Sequence, residues 1–328
     1  MEYLIFDGNY ILMKSVFTLH KLNRLYGDLW TVLDNNIEKY TALNTWEKII
    51  IVSDSRKKSW RIQESEAYKA HRVRQEDIDW EFVFKTYIDW KKSMEEKHIV
   101  LELDHIEGDD WITSTVLLAN KKNKSCTIIS SDQDLYQLLN YKLKGNKSWM
   151  NIQINDILGS EKVIIPEGWE LWLKEFSDNN NNDVFNLSNS LKHIDFFNYV
   201  TRNWNYEEVN CYQQLFQKIV QGDKSDNISS IYQKITKTGK IQNIGKAGAN
   251  KIWNFYKDNY DIHYKIDEQF VDDILVSLER VNDLDLSDAS KNNIRNNIKL
   301  NIKLIQLHYV NYPDWVLEKI VEQLNEKI

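Results

Sequence analysis

The chain has 328 residues and a formal net charge of −7, so it is long enough for about two domains with a sizeable core. A net acidic chain does not bind nucleic acid through its overall charge, and any such contact must come from local basic segments. The only two cysteines, Cys126 and Cys211, lie far apart, Glu2 and an early strand replace a signal peptide, and no apolar run reaches a membrane span, so zinc-ribbon, disulfide-framework, secreted and membrane classes are excluded and a cytoplasmic protein is expected.

Along the chain, Tyr3-Leu4-Ile5-Phe6, Ile49-Ile50-Ile51-Val52 and Thr127-Ile128-Ile129-Ser130 are short apolar runs. Each reads as a buried strand of a parallel sheet. A helix is expected near Tyr10 to Leu22 after the first strand. Residues 56–74 follow the second and hold Arg56, Lys57, Lys58, Arg61, Lys69, Arg72 and Arg74 among Trp60, Tyr68 and His71. This segment is either a solvated basic face or a surface for a single strand, with cations on phosphates and rings under bases. Trp80, Val83, Phe84, Tyr87 and Ile88 recur with helical spacing, and this helix either belongs to an arch or packs on the sheet. Ile99 to Leu103 reads as a strand, Trp111 to Ala119 as a helix and Leu135 to Leu139 as a short helix. Strands alternating with helices predict an α/β fold with a central, mostly parallel sheet.

Past residue 160 the pattern reads as helical, without convincing strands. Asn179 to Asn182 reads as a surface loop, and Tyr206 to Gln221 as a helix stopped by Gly222. We place the boundary near 205, giving an α/β domain over 1–204 and a helical region over 205–328. Gly245, Lys246 and Gly248 form a glycine turn before a helix from Ala249 to Tyr256 that includes Lys251. Such a turn presents backbone amides to a phosphate, or it is a plain helix–turn–helix in a core. The faces Phe270/Ile274/Leu278 and Val316/Ile320/Leu324 are expected in a core, the last with docking of a replication partner as the alternative.

The acids fall at strand ends: Asp7; Asp54; Glu107, Asp109 and Asp110; Asp132 and Asp134; and, further on, Asp223 and Asp226. One Asp after a strand is commonly a turn former or helix cap. Several gathered at the carboxyl ends of a parallel sheet would repel one another unless a cation neutralised them, and hard cations such as Mg²⁺ and Mn²⁺ take oxygen ligands. That points to a metal-dependent enzyme acting on phosphates. A dehalogenase-like phosphatase would need Asp-x-Asp after the first strand, and Gly8-Asn9 follow Asp7 instead.

The ordered set FDGN (6–9), VSDS (52–55), YKAHR (68–72), EGDD (107–110), SSDQD (130–134) and GDKSDN (222–227) resembles the 5′-nuclease family. That family comprises flap endonucleases, the 5′-nuclease domain of bacterial DNA polymerase I, and phage 5′-exonucleases, with the T-even ribonuclease H branch nearest in wording. The resemblance covers about residues 1–255. It implies a PIN-like core, a helical arch around 56–97 and a helix–three-turn–helix motif around 228–257. It implies two Mg²⁺ or Mn²⁺ ions: Asp7, Asp54, Glu107, Asp109 and Asp132 at the first, Asp134, Asp223 and Asp226 at the second, and Asp110 between or behind them. Lys69 and Arg72 would contact the scissile phosphate, Arg61 and Tyr68 the DNA, and Gly245, Lys246, Gly248 and Lys251 the duplex backbone, where family members often bind K⁺. The implied substrates are branched or nicked DNA and RNA–DNA duplexes with 5′ ends, the implied partners a single-strand-binding protein or clamp, and the implied state a monomer. The span from GDKSDN to the glycine turn is longer than is common in the family and carries Lys234, Lys237 and Lys240. Alternatives are a PIN-like ribonuclease and a metal-free DNA-binding relative.

Overall fold

The computed structural model describes residues 2–142, 149–157, 160–171, 204–235, 241–260 and 267–328. The run Asn179 to Asn182 and residues Lys237 and Lys240 lie outside them. The central sheet is built first from β1 (Glu2–Asp7), β2 (Lys48–Val52), β3 (Ile99–Leu101) and β4 (Ser125–Ile129), all parallel, in spatial order β3-β2-β1-β4. The chain therefore reverses its direction of travel at β1, between β1 and β4. Crevices at such reversals, outside the strands' carboxyl ends, are where open α/β sheets bind ligands. Every residue of β1 and β4 is buried, as continuous apolar runs in a two-faced sheet should be.

Helices cover both faces. On one side α1 (Gly8–Lys21), α2 (Leu25–Thr41) and α4 (Trp80–Met94) pack their apolar stripes on Leu4, Phe6 and Ile51. On the other, α5 (Gly108–Lys121) packs on Tyr3, Ile5 and Ile128. The short α3 (Arg61–Glu64) lies between. Of the two alternatives for residues 80–94, packing is the one observed: Val83, Tyr87, Trp90 and Met94 are buried in the core. Residues 65–79, which carry the YKAHR motif, form turns rather than a helix.

Four strands of the central sheet lie where sequence reading places none. β6 (Trp149–Ile157) joins β4 in parallel, β7 (Ser160–Pro166) pairs antiparallel with β6, and β8 (Asn205–Val209) pairs parallel with β7; the two-residue β5 (Tyr141–Lys142) pairs with β6. The helix expected from Tyr206 thus begins only at Cys211, where Asn210 caps α6 (Cys211–Gln221) by accepting from the Gln213 amide.

Beyond the sheet, α6, α7 (Lys246–Asn259), α8 (Glu268–Asn282) and α9 (Asp288–Ile305) share a core of Phe216, Trp253, Tyr256, Ile274 and Ile298. The long span before the glycine turn contains a two-stranded ribbon, β9 (Gln233–Ile235) with β10 (Ile241–Asn243), which accounts for its length. The last helix, α10 (Asp314–Lys327), returns to the α/β layer. Val316, Ile320 and Leu324 are buried against the cluster around Trp111 and Ile112, so that face is not available to a partner.

Candidate active site

Asp7 ends β1 and caps α1, accepting from the Tyr10 amide at 2.9 Å and from the Ser130 hydroxyl at 2.7 Å. The Ser130 bond spans the reversal point of the sheet and ties the ends of β1 and β4 together. Asp54 follows β2 and accepts from the Gly108 amide at 2.6 Å, which brings the second strand end to the start of α5. The Asn9 side chain accepts from Ser53 and from the Asp54 amide, fixing that loop beside the first. Asp132 follows β4 and is exposed. Its loop is held by the Gln153 side-chain amide, which donates to the Ser130 and Asp132 carbonyls at 2.9 and 3.0 Å.

The electrostatics of these groups report their convergence. Burial chiefly, then the charge of Asp132, push the Asp109 carboxyl well above the usual range, with Asp7 and Asp54 adding to it and Lys69 opposing. Burial, followed by Asp54 and Asp132, lifts Asp7 to about 6 against hydrogen bonds from Tyr10 and Ser130. Asp54 rises through burial and Glu107; Asp132, although its side chain reaches solvent, rises through desolvation by the cleft walls around it and through Asp226 and Asp223. Four carboxylates from four segments therefore sense one another at one end of the sheet.

In protein freed of divalent ions, Asp7 should make folding stability pH-dependent. Its folded value of about 6 exceeds the ordinary 3.8. The folded state therefore holds a proton that the unfolded state has lost, and stability falls as pH rises between these values, by roughly 3 kcal/mol in all. Urea titrations of chelated protein at pH 4 and pH 7 measure this; stability that rises over that interval would contradict it.

A second group lies across the cleft. Lys218 on α6 pairs with Asp134 and, at 2.8 Å, with Asp223. Burial would raise Asp223, but hydrogen bonds from Lys218 and Ser225 hold its carboxyl low. Gly222, at φ +72°, allows the chain to leave α6; a side chain there would collide with the backbone of Ile228 and Ser229. The loop it starts docks on the YKAHR segment. The Lys69 amide donates to the Asp226 carbonyl at 2.9 Å, the Asn227 side chain donates to the Ala67 carbonyl, and Arg72 pairs with Asp226 at 2.5 Å. Lys69 adopts a left-handed backbone at φ +54°. Its ammonium lies 2.5 Å from Glu107 and 3.9 Å from Asp226, between the two acidic groups. Burial works to raise Glu107, yet Lys69 and then Arg61 outweigh it and hold that carboxyl at about 2.

Three residues expected at the site or on DNA are structural instead. Arg61 is 2% exposed and grips both oxygens of Asp110, Glu107 at 2.6 Å and the Leu304 carbonyl. It cannot reach a nucleic acid; it locks α3, α5 and the end of α9 together. Asp110 is fully buried, with its oxygens taken by Arg61, the Trp60 ring nitrogen and the Glu107 amide, so it has none left for a metal. Tyr68 is buried and its hydroxyl donates to Glu107, so its ring offers no face to a base. Breaking a buried, multiply bonded pair strands the partner charges, at about 3–5 kcal/mol. Arg61→Ala should lose about that much in urea denaturation, and a loss under ~1 kcal/mol would refute the clamp.

The glycine turn faces the second group across a cleft of about 1000 Å³, with Asp132, Lys218 and Asp223 on one wall and Gly245 and Lys246 on the other. Gly245 caps α7, and Lys246 and Lys251 are exposed on it. At Gly248 a side chain would press on Ile244 at 3.1 Å.

Among the described residues no three carboxylate, histidine or cysteine side chains close on one point that could hold an ion. Glu107, Asp134, Asp223 and Asp226 each have a Lys or Arg partner instead. The donor chemistry nonetheless fits a hard divalent cation: Asp7, Asp54, Asp109 and Asp132 supply only oxygen, and their mutual repulsion is what such an ion relieves. Sequence reading misses Ser130, Asn9, Gln153 and Lys218. Only the FDGN and SSDQD wording around the first two offers a signal; a lone lysine on an amphipathic helix offers none.

The model of the family described as "5′-3′ exonuclease, N-terminal resolvase-like domain" matches residues 2–164. The 5′-3′ exonuclease of Buchnera aphidicola subsp. Schizaphis graminum is 32% identical over 187 residues, covering 53% of this chain and 59% of that protein. The chain thus spans about three fifths of that relative's length. The DNA polymerase I of Caldicellulosiruptor bescii is 24% identical over 335 residues, 99% of this chain but 32% of the polymerase. In fold, the chain is similar to a bacteriophage T5 flap endonuclease solved with DNA and metal ions, with a TM-score of 0.61 at 17% identity over 99% of this chain and 98% of that one.

Proposed function

Given that this chain belongs to the 5′-nuclease family, we propose that it is a metal-dependent, structure-specific 5′ nuclease, a 5′→3′ exonuclease and flap endonuclease that hydrolyses phosphodiesters of DNA and RNA–DNA duplexes. The observation that carries this reading is the gathering of Asp7, Asp54 and Asp132 at three strand ends with Asp109 at the head of α5, tied together by the Ser130–Asp7 and Gly108–Asp54 hydrogen bonds. Two divalent ions held there and beside Asp134, Asp223 and Asp226 would activate the attacking water and neutralise charge on the phosphate.

The chain's own residues do the rest. Lys69, between the two acidic groups, is placed to stabilise negative charge that grows on the phosphate oxygens. Arg72, about half exposed beside Asp226, adds a second cation on the same side. The amides at the start of α7, with Lys246 and Lys251, would take a backbone phosphate of the duplex across the cleft from Asp132. Such contacts read no sequence, so selectivity would rest on the shape of the DNA. Residues 1–204 then carry the first acidic group and Lys69, while 205–328 supply Asp223 and Asp226 together with the duplex grip, and α10 ties the second region back to the first. No helix among the described residues is long and apolar enough to cross a membrane.

A panel of 5′-flap, nicked, RNA–DNA and single-stranded substrates with Mg²⁺ tests this. The 5′ flap should be cut to leave a 5′-phosphate, and EDTA should stop the reaction. Cutting that persists in EDTA, or that prefers 3′ flaps, would overturn the reading. Binding should weaken steeply with salt through counterion release.

A further inference from the structure

At the outer edge of the sheet a groove of about 600 Å³ runs between α4, β3 and α10. β3 ends the sheet on the side away from the cleft that holds the glycine turn. One face of α10 is buried, and residues outside that face form one groove wall. The opposite wall is α4, which contributes Ile88, Lys91, Lys92 and Glu95, spaced i, i+3, i+4 and i+7 as one helical stripe. Two of the three carboxylates in the lining are already paired, Glu102 with Lys91 and Asp104 with Lys57 at 2.6 Å. Among the described residues Arg56, Lys92, Lys319 and Lys327 have no carboxylate partner. Two of these cations are held in place all the same. The Lys319 ammonium lies over the Trp315 ring at 5.3 Å, and Lys327 donates to the Val100 carbonyl at 2.8 Å. A ring or a carbonyl orients an ammonium without neutralising it. On a chain of net charge −7, cations left unneutralised around one groove focus a positive field there and draw an anion.

The kind of anion follows from spacing and lining. Lys319 and Lys327 stand eight residues apart on α10, about 12 Å at roughly 1.5 Å per residue. One phosphate cannot reach both, whereas an extended peptide covers that span in about four residues at ~3.3 Å each. The uncharged lining is aliphatic, Ile88, Val100 and Leu103, with no ring among the lining residues. A single strand of nucleic acid would find nothing to stack on, while an apolar side chain of a peptide would find a floor. Lys327 occupies the Val100 carbonyl on the free edge of β3, so strand addition is blocked there and side chains must carry recognition. We propose that this groove docks an extended acidic segment of a partner protein, whose carboxylates meet Lys92, Lys319 and Lys327 and whose apolar side chain rests on Ile88, Val100 and Leu103. The proposal goes beyond the nuclease reading and does not depend on it.

The test uses the full-length protein and a fluorescein-labelled, acetylated peptide of four aspartates around one leucine, followed by anisotropy in metal-free buffer at low salt. Wild type should bind the peptide, and added salt should weaken the complex. Lys92→Gln and Lys319→Gln should each weaken it about tenfold, as loss of one charge-assisted contact does. Lys319→Glu, which puts a like charge against the peptide, should abolish it. Both lysines are exposed, so the thermal midpoint should stay at the wild-type value in all three variants, and so should kcat/KM on a 5′ flap. Serine in place of the peptide's leucine should lower affinity several-fold through loss of the apolar contact. No binding by the wild type, or one affinity shared by wild type and all three variants, would overturn the docking site. Equal affinity for a peptide with asparagine in place of aspartate would overturn it as well. A labelled oligothymidylate that loses affinity in Lys92→Gln and Lys319→Gln, where the peptide does not bind, would make the groove a nucleic-acid track and refute the proposal.

Discussion

Asp132→Asn should cut flap cleavage by roughly 10³-fold or more while duplex binding persists. Asp132 senses both groups: it raises Asp109 on one side and is itself raised by Asp223 and Asp226 on the other. Removing its charge would weaken whatever ion lies between them, and several kcal/mol of transition-state charge stabilisation corresponds to about that factor in rate. The side chain is exposed, and the loop beneath it is fixed by Gln153 through backbone carbonyls, so the substitution leaves the fold intact. Single-turnover cleavage beside a binding titration measures both quantities. A variant that cuts at the wild-type rate would remove Asp132 from the site.

Lys69→Ala should lower turnover by about 10²–10³-fold with a small change in affinity, the pattern of a group that acts on developing charge. The position is built. A left-handed backbone and the Asp226 carbonyl fix the main chain, and Glu107 and Asp226 bracket the ammonium. Lys69→Arg should restore little, because a planar fork cannot occupy the same point as an ammonium. An equal loss in binding and turnover would make Lys69 a simple docking cation.

The parts of the fold that were readable in sequence share one property: the residues with the signal are also the residues in the core. β1, β2 and β4 are unbroken apolar runs followed by acids, and α4 shows its stripe plainly. β6 was hidden because Asn151, Gln153 and Asn155 are polar yet buried; Asn151 bonds to the Cys126 amide and the Leu138 carbonyl, and Gln153 to the 130–132 turn. A strand whose interior is satisfied by hydrogen bonds looks like a loop when only hydropathy is read. β8 is largely exposed, and its junction with α6 turns on the single cap Asn210.

The acids of the site were legible because chemistry restricts which residues can do their work. Burial was not. Arg61, Tyr68 and Trp60 have the composition of a nucleic-acid surface, basic residues among aromatics, but fold inward as the frame around Glu107 and Asp110. The arginines that remain outside, Arg56, Arg72 and Arg74, differ from Arg61 only in what the fold places beside them.

Anomalous scattering from crystals grown with Mn²⁺ tests the central claim most directly, that acids from distant segments form one binding centre for divalent ions. Two peaks are expected, one among Asp7, Asp54 and Asp109 and one beside Asp134, Asp223 and Asp226, with Asp132 between them. Peaks confined to other surfaces, with these carboxylates left on their Lys and Arg partners at saturating Mn²⁺, would contradict it.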